Sequence, residues 1–309
     1  MSTGRPGGLW ARWKALLARQ ETGEALAVFR VFVGFCALWA VAVPMQYGVA
    51  EFMWADTGYR GEGMDADTLR WVLRLGVVSS VSLILGIGGR VSAFVTLQVC
   101  IAFMTLHPAA SGAHDRLIKN ALWLLVLANS TATLSLDCRL KTGAWTSDRL
   151  VSAWPRYLAV LQLFIMYQAT GIQKISPEWT PLGGFSALWY IVRSDMWMRF
   201  DADWLPYWFT QFSTAGTWIW EWCAWVFLYA LWCRDKRPAT HWANRYDLRT
   251  LWAAWGIGMH MILYVLTVLG PLSWATLAWY ACLWHPDEYR AGWRRLAGRL
   301  RPSVDPASG

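Results

Sequence analysis

The sequence predicts an all-α membrane protein with about eight transmembrane helices, both termini in the cytoplasm, and an interfacial or re-entrant helix near residues 182–195. Three observations predict this fold. The composition is 56% hydrophobic and only 16% charged, whereas soluble domains carry about 25% charged residues. The 25 Trp suit the bilayer interface, where the ring is apolar and its N–H stays wet. The third observation is a series of apolar runs separated by basic segments.

The apolar runs justify the helices in order, because a helix needs about 20 apolar residues to cross the hydrocarbon core. The candidate spans are 25–45, 69–88, 91–107, 117–136, 155–173, 215–233 and 251–269. A shorter run, 272–284, follows Pro271. Counting the shorter run gives eight crossings, and omitting it gives seven.

The placement of the charged residues favours eight crossings over seven. With the N-terminus inside, most of the 28 Lys and Arg residues fall on the cytoplasmic side, as the positive-inside rule requires. The first outer loop is acidic instead, with Glu51, Asp56, Glu62, Asp65 and Asp67. A cytoplasmic basic tail then requires eight crossings. The tail is also amphipathic enough to lie on an anionic leaflet, so the basic excess indicates contact with the lipid bilayer and not with nucleic acid.

The chain divides into three parts. Residues 1–24 are a cytoplasmic basic segment, 25–285 a transmembrane domain, and 286–309 a cytoplasmic basic tail. Within the domain, the outer segment 174–214 is too long for a tight turn. Its aromatic-rich run at 185–192 is too short to span, so we expect it to lie in the interface or to re-enter as a lid.

Lys174 is the most informative polar residue, because it closes the apolar fifth span. Tyr167, Thr170, Gly171 and Lys174 fall at i, i+3, i+4 and i+7, so they share one helix face. A polar stripe that leads to a lysine suggests a cavity wall. An ammonium partly withheld from water loses pKa, which makes a neutral amine available as a general base. The alternative is a lysine that snorkels to the outer interface.

Three further residues carry open alternatives. His114 precedes the fourth span at the level of Lys174, and it either caps the helix or belongs to a site with Lys174. His260, in the middle of the seventh span, either hydrogen-bonds a neighbouring helix or lines a cavity. Arg30 either snorkels or pairs with a buried carboxylate such as Glu221. No metal-ligand spacing occurs, so we expect no metal.

Five segments together resemble one known family. They are L-A-V-F-R-V-F-V-G-F at 26–35, G-I-G-G-R-V-S at 86–92, H-D-R-L-I-K-N-A-L-W-L-L from His114 with S-L-D at 135–137, Y-Q-A-T-G-I-Q-K-I-S-P-E-W at 167–179, and F-S-A-L-W-Y-I-V-R-S-D from 185. In content, order and spacing they resemble the HTTM (horizontally transferred transmembrane) family, which includes the membrane domain of the vitamin K-dependent γ-glutamyl carboxylase.

The resemblance implies specific roles. In the carboxylase, a lysine at the position of Lys174 is the base that deprotonates vitamin K hydroquinone. A histidine at the position of His114 belongs to the same site of that enzyme. His260 matches a histidine of a later span. The cofactor implied is reduced vitamin K or menaquinone. We expect Tyr167, Thr170, Gly171, Trp189 and His260 to contribute to its binding, with the rings of 185–192 lining the quinone pocket.

The chain also departs from the carboxylase. Because the sequence ends at Gly309, we expect it to lack the large extracytoplasmic domain of the carboxylase, and Gln173 lowers the charge beside Lys174. We therefore expect a quinol-dependent oxygenase or carboxylase with an outward-facing site, with an extracytoplasmic partner in place of that domain. The alternative is a non-catalytic membrane protein that binds lipid or helps to mature a secreted peptide or protein.

Overall fold

The computed structural model describes residues 8–58, 63–108 and 111–300, and these are mostly helical. The helices are α1 Leu9–Leu17, α2 Glu24–Gln46, α3 Val49–Trp54, α4 Ala66–Leu85, α5 Arg90–Leu106, α6 Ala113–Leu127, α7 Leu136–Thr142, α8 Trp154–Gln173, α9 Ala187–Ile191, α10 Tyr207–Trp222, α11 Trp225–Lys236, α12 Trp242–Arg245, α13 Leu248–Leu266, α14 Leu272–Tyr280 and α15 Pro286–Leu300. Two strands, β1 Gln20–Thr22 and β2 Leu150–Ser152, form an antiparallel ribbon. Strands this short leave little periodicity, so the sequence did not predict them.

Neighbouring long helices are antiparallel, because Gly86 at the end of α4 lies beside Arg30 early in α2, and Gly89 before α5 lies beside Thr131 after α6. The bundle therefore has two ends. We name these ends after α8, which begins beside Arg156 and stops before Lys174. At the Lys174 end, the ring of Trp54 stacks on that of Phe103 at 4.4 Å, and His114 lies beside Gly270. At the Arg156 end, the ribbon joins the start of the chain to the segment before α8.

Helix α14 lies at the centre of the bundle, against α2, α6, α8 and α13. It is short, but six of its nine residues are buried and the other three are half-buried. Its Trp279 ring packs 5.3 Å from the ring of Phe29 on α2. A 3-10 turn, Ala281–Leu283, continues the helix toward the Arg156 end. The short run predicted at 272–284 is therefore a central element of the fold.

Two helices in the described part of the chain, Glu24–Gln46 and Ala66–Leu85, are both long and apolar enough to cross a membrane. Arg90–Leu106 and Leu272–Leu283 are apolar but shorter. The number of crossings therefore stays a prediction.

The predicted span 117–136 is wrong at its second half, because α6 stops at Leu127. Residues 128–135 are rich in Ser and Thr, whose hydroxyls compete for backbone hydrogen bonds. The carbonyls of Ser130 and Leu134 accept hydrogen bonds of 2.7 Å each from Arg30. Arg30 is fully buried, so it neither snorkels nor pairs with Glu221.

The helix predicted at 215–233 is not continuous, because the chain breaks into α10 and α11 at Cys223 and Ala224. The side chain of Gln168 on α8 donates a hydrogen bond to the carbonyl of Trp222 at the break. The sequence of the span itself does not indicate this contact.

The helix predicted near 182–195 is reduced to α9, five residues long. It follows two 3-10 turns, Pro177–Trp179 and Pro181–Gly183. Positive φ angles at Gly184 and Phe185 keep the helix from starting earlier.

Arginine–carboxylate pairs fasten the Arg156 end. Arg156 is buried and donates two hydrogen bonds to Glu21, of 2.7 and 2.8 Å. Arg249 donates two to Glu288 on α15, of 2.7 and 3.0 Å. These bidentate pairs tie the ribbon and α15 to the bundle.

His285 provides a test of the packing at the Arg156 end. Its Nε2 lies 3.4 Å from Nη2 of the Arg156 guanidinium. Burial, reinforced by the charges of Arg156 and Arg234, lowers the pKa of His285 to about 4. In the unfolded chain its pKa is about 6.5. Between these values the unfolded state binds a proton that the folded state does not, so stability falls as the pH drops from 6.5 toward 4.

We therefore expect His285→Gln to lose less thermal stability than the wild type between pH 7 and pH 4.5, measured as unfolding midpoints in detergent. A difference between the two proteins that does not change with pH would contradict this prediction.

Candidate functional site

Gly171 brings the backbones of α8 and α10 together. It is buried on the face of α8 that also carries Tyr167, Thr170 and Lys174. A Cβ atom at this position would lie 3.2 Å from Cβ of Glu221 and 3.3 Å from the backbone N of Trp222. The predicted polar face of α8 therefore packs against the last turn of α10, where the helix breaks.

Gln168 compensates the break. Its side-chain amide donates hydrogen bonds to the carbonyl of Trp222, at 2.8 Å, and to that of Glu221, at 3.4 Å. The last carbonyls of a helix have no partner within the helix, and in an apolar setting each must find one elsewhere. A side chain from α8 thus satisfies carbonyls that the interruption of α10 leaves without a partner.

Lys174 and Glu221 form an ion pair at this junction. The Lys174 Nζ donates to Oε2 of Glu221 at 2.5 Å. The side chains are only 18% and 8% exposed, respectively. The ammonium also lies 5.0 Å from the ring centroid of Trp179 and 3.5 Å from the carbonyl of Thr170. The lysine is thus folded back onto the bundle and largely shielded, instead of extending into water.

A second polar cluster lies deeper on the same face of α8. The Tyr167 hydroxyl is 2.8 Å from both His260 Nε2 and the Tyr280 hydroxyl. The ring of Trp220, the residue before Glu221, packs edge-on at 4.5 Å from the Tyr167 ring. All four side chains are buried. His260 therefore faces the bundle and hydrogen-bonds a neighbouring helix, while its Nδ1 has no hydrogen-bond partner in the described part of the chain.

His114 and Trp189 contact residues other than Lys174. His114 Nε2 lies 3.5 Å from the carboxylate of Asp115, which also accepts a hydrogen bond from the Gly112 N–H. The Trp189 ring packs against Tyr207 and under the guanidinium of Arg193. Among the described residues, no hydrogen bond, ion pair or ring contact joins either side chain to Lys174.

Four residues at the junction were missed in sequence reasoning. Glu221 had a signal, because it is the one carboxylate within the apolar run 215–233. Gln168 and Tyr280 had none, since their roles come from contacts between helices that are distant in the chain. Trp179 is close to Lys174 in the sequence, but its contact with the lysine depends on how the chain turns back after α8.

The family model described as HTTM domain matches residues 18–228, about two thirds of the chain. The chain belongs to the HTTM family. The match confirms the resemblance and indicates a membrane protein related to the membrane domain of the carboxylase. Searches of curated proteins and of solved structures find no match.

The HTTM match includes Lys174, Glu221 and the helix break, and it stops before His260 and Tyr280. The ion pair thus lies wholly within the matched segment, whereas the Tyr167 cluster combines one residue inside it with two outside.

The contact at Gly171 predicts a steric effect. In Gly171→Leu the new side chain would push α10 away from α8 and disturb the Gln168 hydrogen bonds, so we expect a loss of about 1–3 kcal/mol, as for overpacked cores. The matched control is Gly258→Leu on α13, where no atom lies within 4 Å of an added Cβ. Unfolding in detergent measures both. Equal destabilisation by the two substitutions would argue against the close approach.

The ion pair predicts that Lys174 and Glu221 are coupled in their contributions to the free energy of unfolding. In Lys174→Met the Glu221 carboxylate loses its partner while still buried, and we expect a loss of about 3 kcal/mol. Adding Glu221→Gln to Lys174→Met should recover most of this loss, because the remaining side chain is neutral. A double-mutant cycle of unfolding free energies measures the coupling, and strictly additive losses would show that the pair contributes nothing.

Proposed function

We propose that this HTTM protein crosses the bilayer about eight times, with the Arg156 end in the cytoplasm and the Lys174 end facing outward. The alternating direction of the long helices supports this placement. So does charge, because the Arg156 end gathers arginines from five parts of the chain: Arg19, Arg156, Arg234, Arg249 and Arg290.

The proposal assigns the Lys174–Glu221 pair a role in proton transfer to and from a quinol, of the reduced vitamin K or menaquinone class. The observation that carries it is the pair itself: an amine and a carboxylate in contact and shielded from water. The proposed placement puts this pair at the outward end of α8. The surroundings suit an apolar ligand with a hydroxyl group. Trp179 stacks on the lysine, and Ile175 and Leu182 expose their apolar side chains nearby in the chain.

The pair can release a neutral amine without exchange with water. When a ligand excludes solvent, passing the proton from Lys174 to Glu221 replaces two poorly solvated charges by two neutral groups. The free Lys174 amine can then accept a proton from a ligand hydroxyl, which leaves an ammonium beside the new oxyanion. Glu221 stays neutral, so the total charge of the site does not change.

The quinol would supply the reducing equivalents, the overall change being quinol and O2 to quinone epoxide and water. In this scheme Lys174 is the base, Glu221 holds its proton in the meantime, and Trp179 keeps water from the pair. The Tyr167–His260–Tyr280 cluster fixes the inner end of the same helix face.

The test is an assay of the purified protein in nanodiscs with reduced menaquinone or vitamin K and O2. We expect epoxide from the wild type. Lys174→Arg should lose at least about 100-fold, because a guanidinium keeps its proton and cannot act as a general base. The matched control is Lys236→Arg, an exposed lysine of α11. Absence of epoxide from the wild type, or full activity of Lys174→Arg, would refute the proposed chemistry.

A second candidate function is binding of a lipid or a secreted peptide without catalysis. It is favoured by one specific observation: Lys174 contacts the carboxylate of Glu221, a partner that suits a charged anchor. In that case Lys174→Arg would bind lipid or peptide as the wild type does, since an arginine preserves the charge. The same substitution therefore separates the two functions.

A further inference from the structure

The last helix, α15, has an apolar face that begins in contact with the bundle and continues beyond it. The Tyr289 hydroxyl donates to the carbonyl of Ala281 at 2.7 Å. Trp293 and Leu296, four and seven residues later, lie on the same helix face and are exposed. The face that docks at its start is thus uncovered over the next two turns.

The charge that α15 presents to its surroundings is positive, because its acidic residues are already neutralised. Asp287 pairs with Arg234 and Glu288 with Arg249. Arg290 pairs in turn with Glu24 and Asp148. Arg294 and Arg295, in contrast, are exposed beside the apolar face. The first turn is therefore clamped by ion pairs while the following turns offer cations.

Two other segments at the same end repeat this combination. On α1 the exposed rings of Trp10 and Trp13 accompany Lys14. Around α12, Arg237 lies over the ring of Trp232 and Arg245 over that of Tyr246, and both rings are exposed. Exposed aromatic rings with neighbouring cations are the side chains that proteins place at the headgroup level of a membrane.

We infer that α1, α12 and α15 form a platform at the Arg156 end that binds the headgroups of anionic lipids, with α15 lying in the plane of the leaflet. The inference rests on the proposed membrane placement. Each part contributes to it: the ion pairs of Asp287 and Glu288 fix the start of α15, Trp293 and Leu296 enter the interface, and Arg294 and Arg295 contact the phosphates.

The experiment reads the depth of α15 directly. Full-length Leu296→Cys is labelled with an environment-sensitive NBD fluorophore and placed in nanodiscs of phosphatidylcholine alone or with phosphatidylglycerol. Ala291→Cys, on the opposite helix face, is the matched control, and unsubstituted protein corrects for labelling of native cysteines. We expect a blue shift and quenching by spin-labelled lipid at 296 only, stronger with phosphatidylglycerol and reduced by salt.

Charge is tested by substitution. Each arginine near an anionic surface contributes about fivefold, so Arg294→Gln/Arg295→Gln should weaken the membrane association of α15 about 25-fold. Arg294→Lys/Arg295→Lys should retain it. A label at 296 that stays in water with phosphatidylglycerol would overturn the inference, as would a blue shift without quenching by spin-labelled lipid, which would show that protein and not lipid covers this face.

Resistance of the protein to alkaline carbonate extraction tests the membrane placement separately. Extraction of the wild type would refute the placement itself, whereas a carbonate-resistant protein with a water-exposed α15 would refute the platform alone.

Discussion

The cost of burying a cation in an apolar bundle organises both ends of this structure. Arg30 is held by the carbonyls of an irregular segment, Arg156 by Glu21, and Lys174 by Glu221. A buried charge without such a partner would cost about 3–5 kcal/mol. Satisfying these cations explains why α6 stops early, why a ribbon forms at the Arg156 end, and why the chain after α8 folds back over its last turn.

The junction of α8 with α10 shows how a helix can be interrupted inside the bundle. Gly171 removes the side chain that would hold the two backbones apart, and Gln168 supplies hydrogen bonds to the carbonyls that the interruption frees. The interruption also sets the end of α10 beside Lys174, so that its carboxylate meets the ammonium. Packing, hydrogen bonding and the ion pair are therefore parts of one arrangement, and a change in any of them is felt by the others.

The two polar clusters on α8 differ in their access to water, and this difference supports different roles. Tyr167, His260 and Tyr280 are buried and joined by hydrogen bonds, which suits a rigid internal strut. Lys174 keeps a small exposed area beside a segment with uncovered apolar side chains, which suits contact with a ligand. His114, which the family resemblance implied for the site of Lys174, and Trp189, which we expected to line a quinone pocket, lie against other partners in this structure.

The sequence by itself determined the helical class, the family and most helix positions, because apolar periodicity and basic segments are local properties of the chain. It also determined that Tyr167, Thr170, Gly171 and Lys174 share a face, since helical spacing requires this. Only the tertiary structure decided the partner of Lys174, the break after Trp222 and the link from Tyr167 to His260. Each of these depends on oxygen or nitrogen atoms supplied from more than 45 residues away, and no local pattern records which distant group will satisfy a buried polar atom.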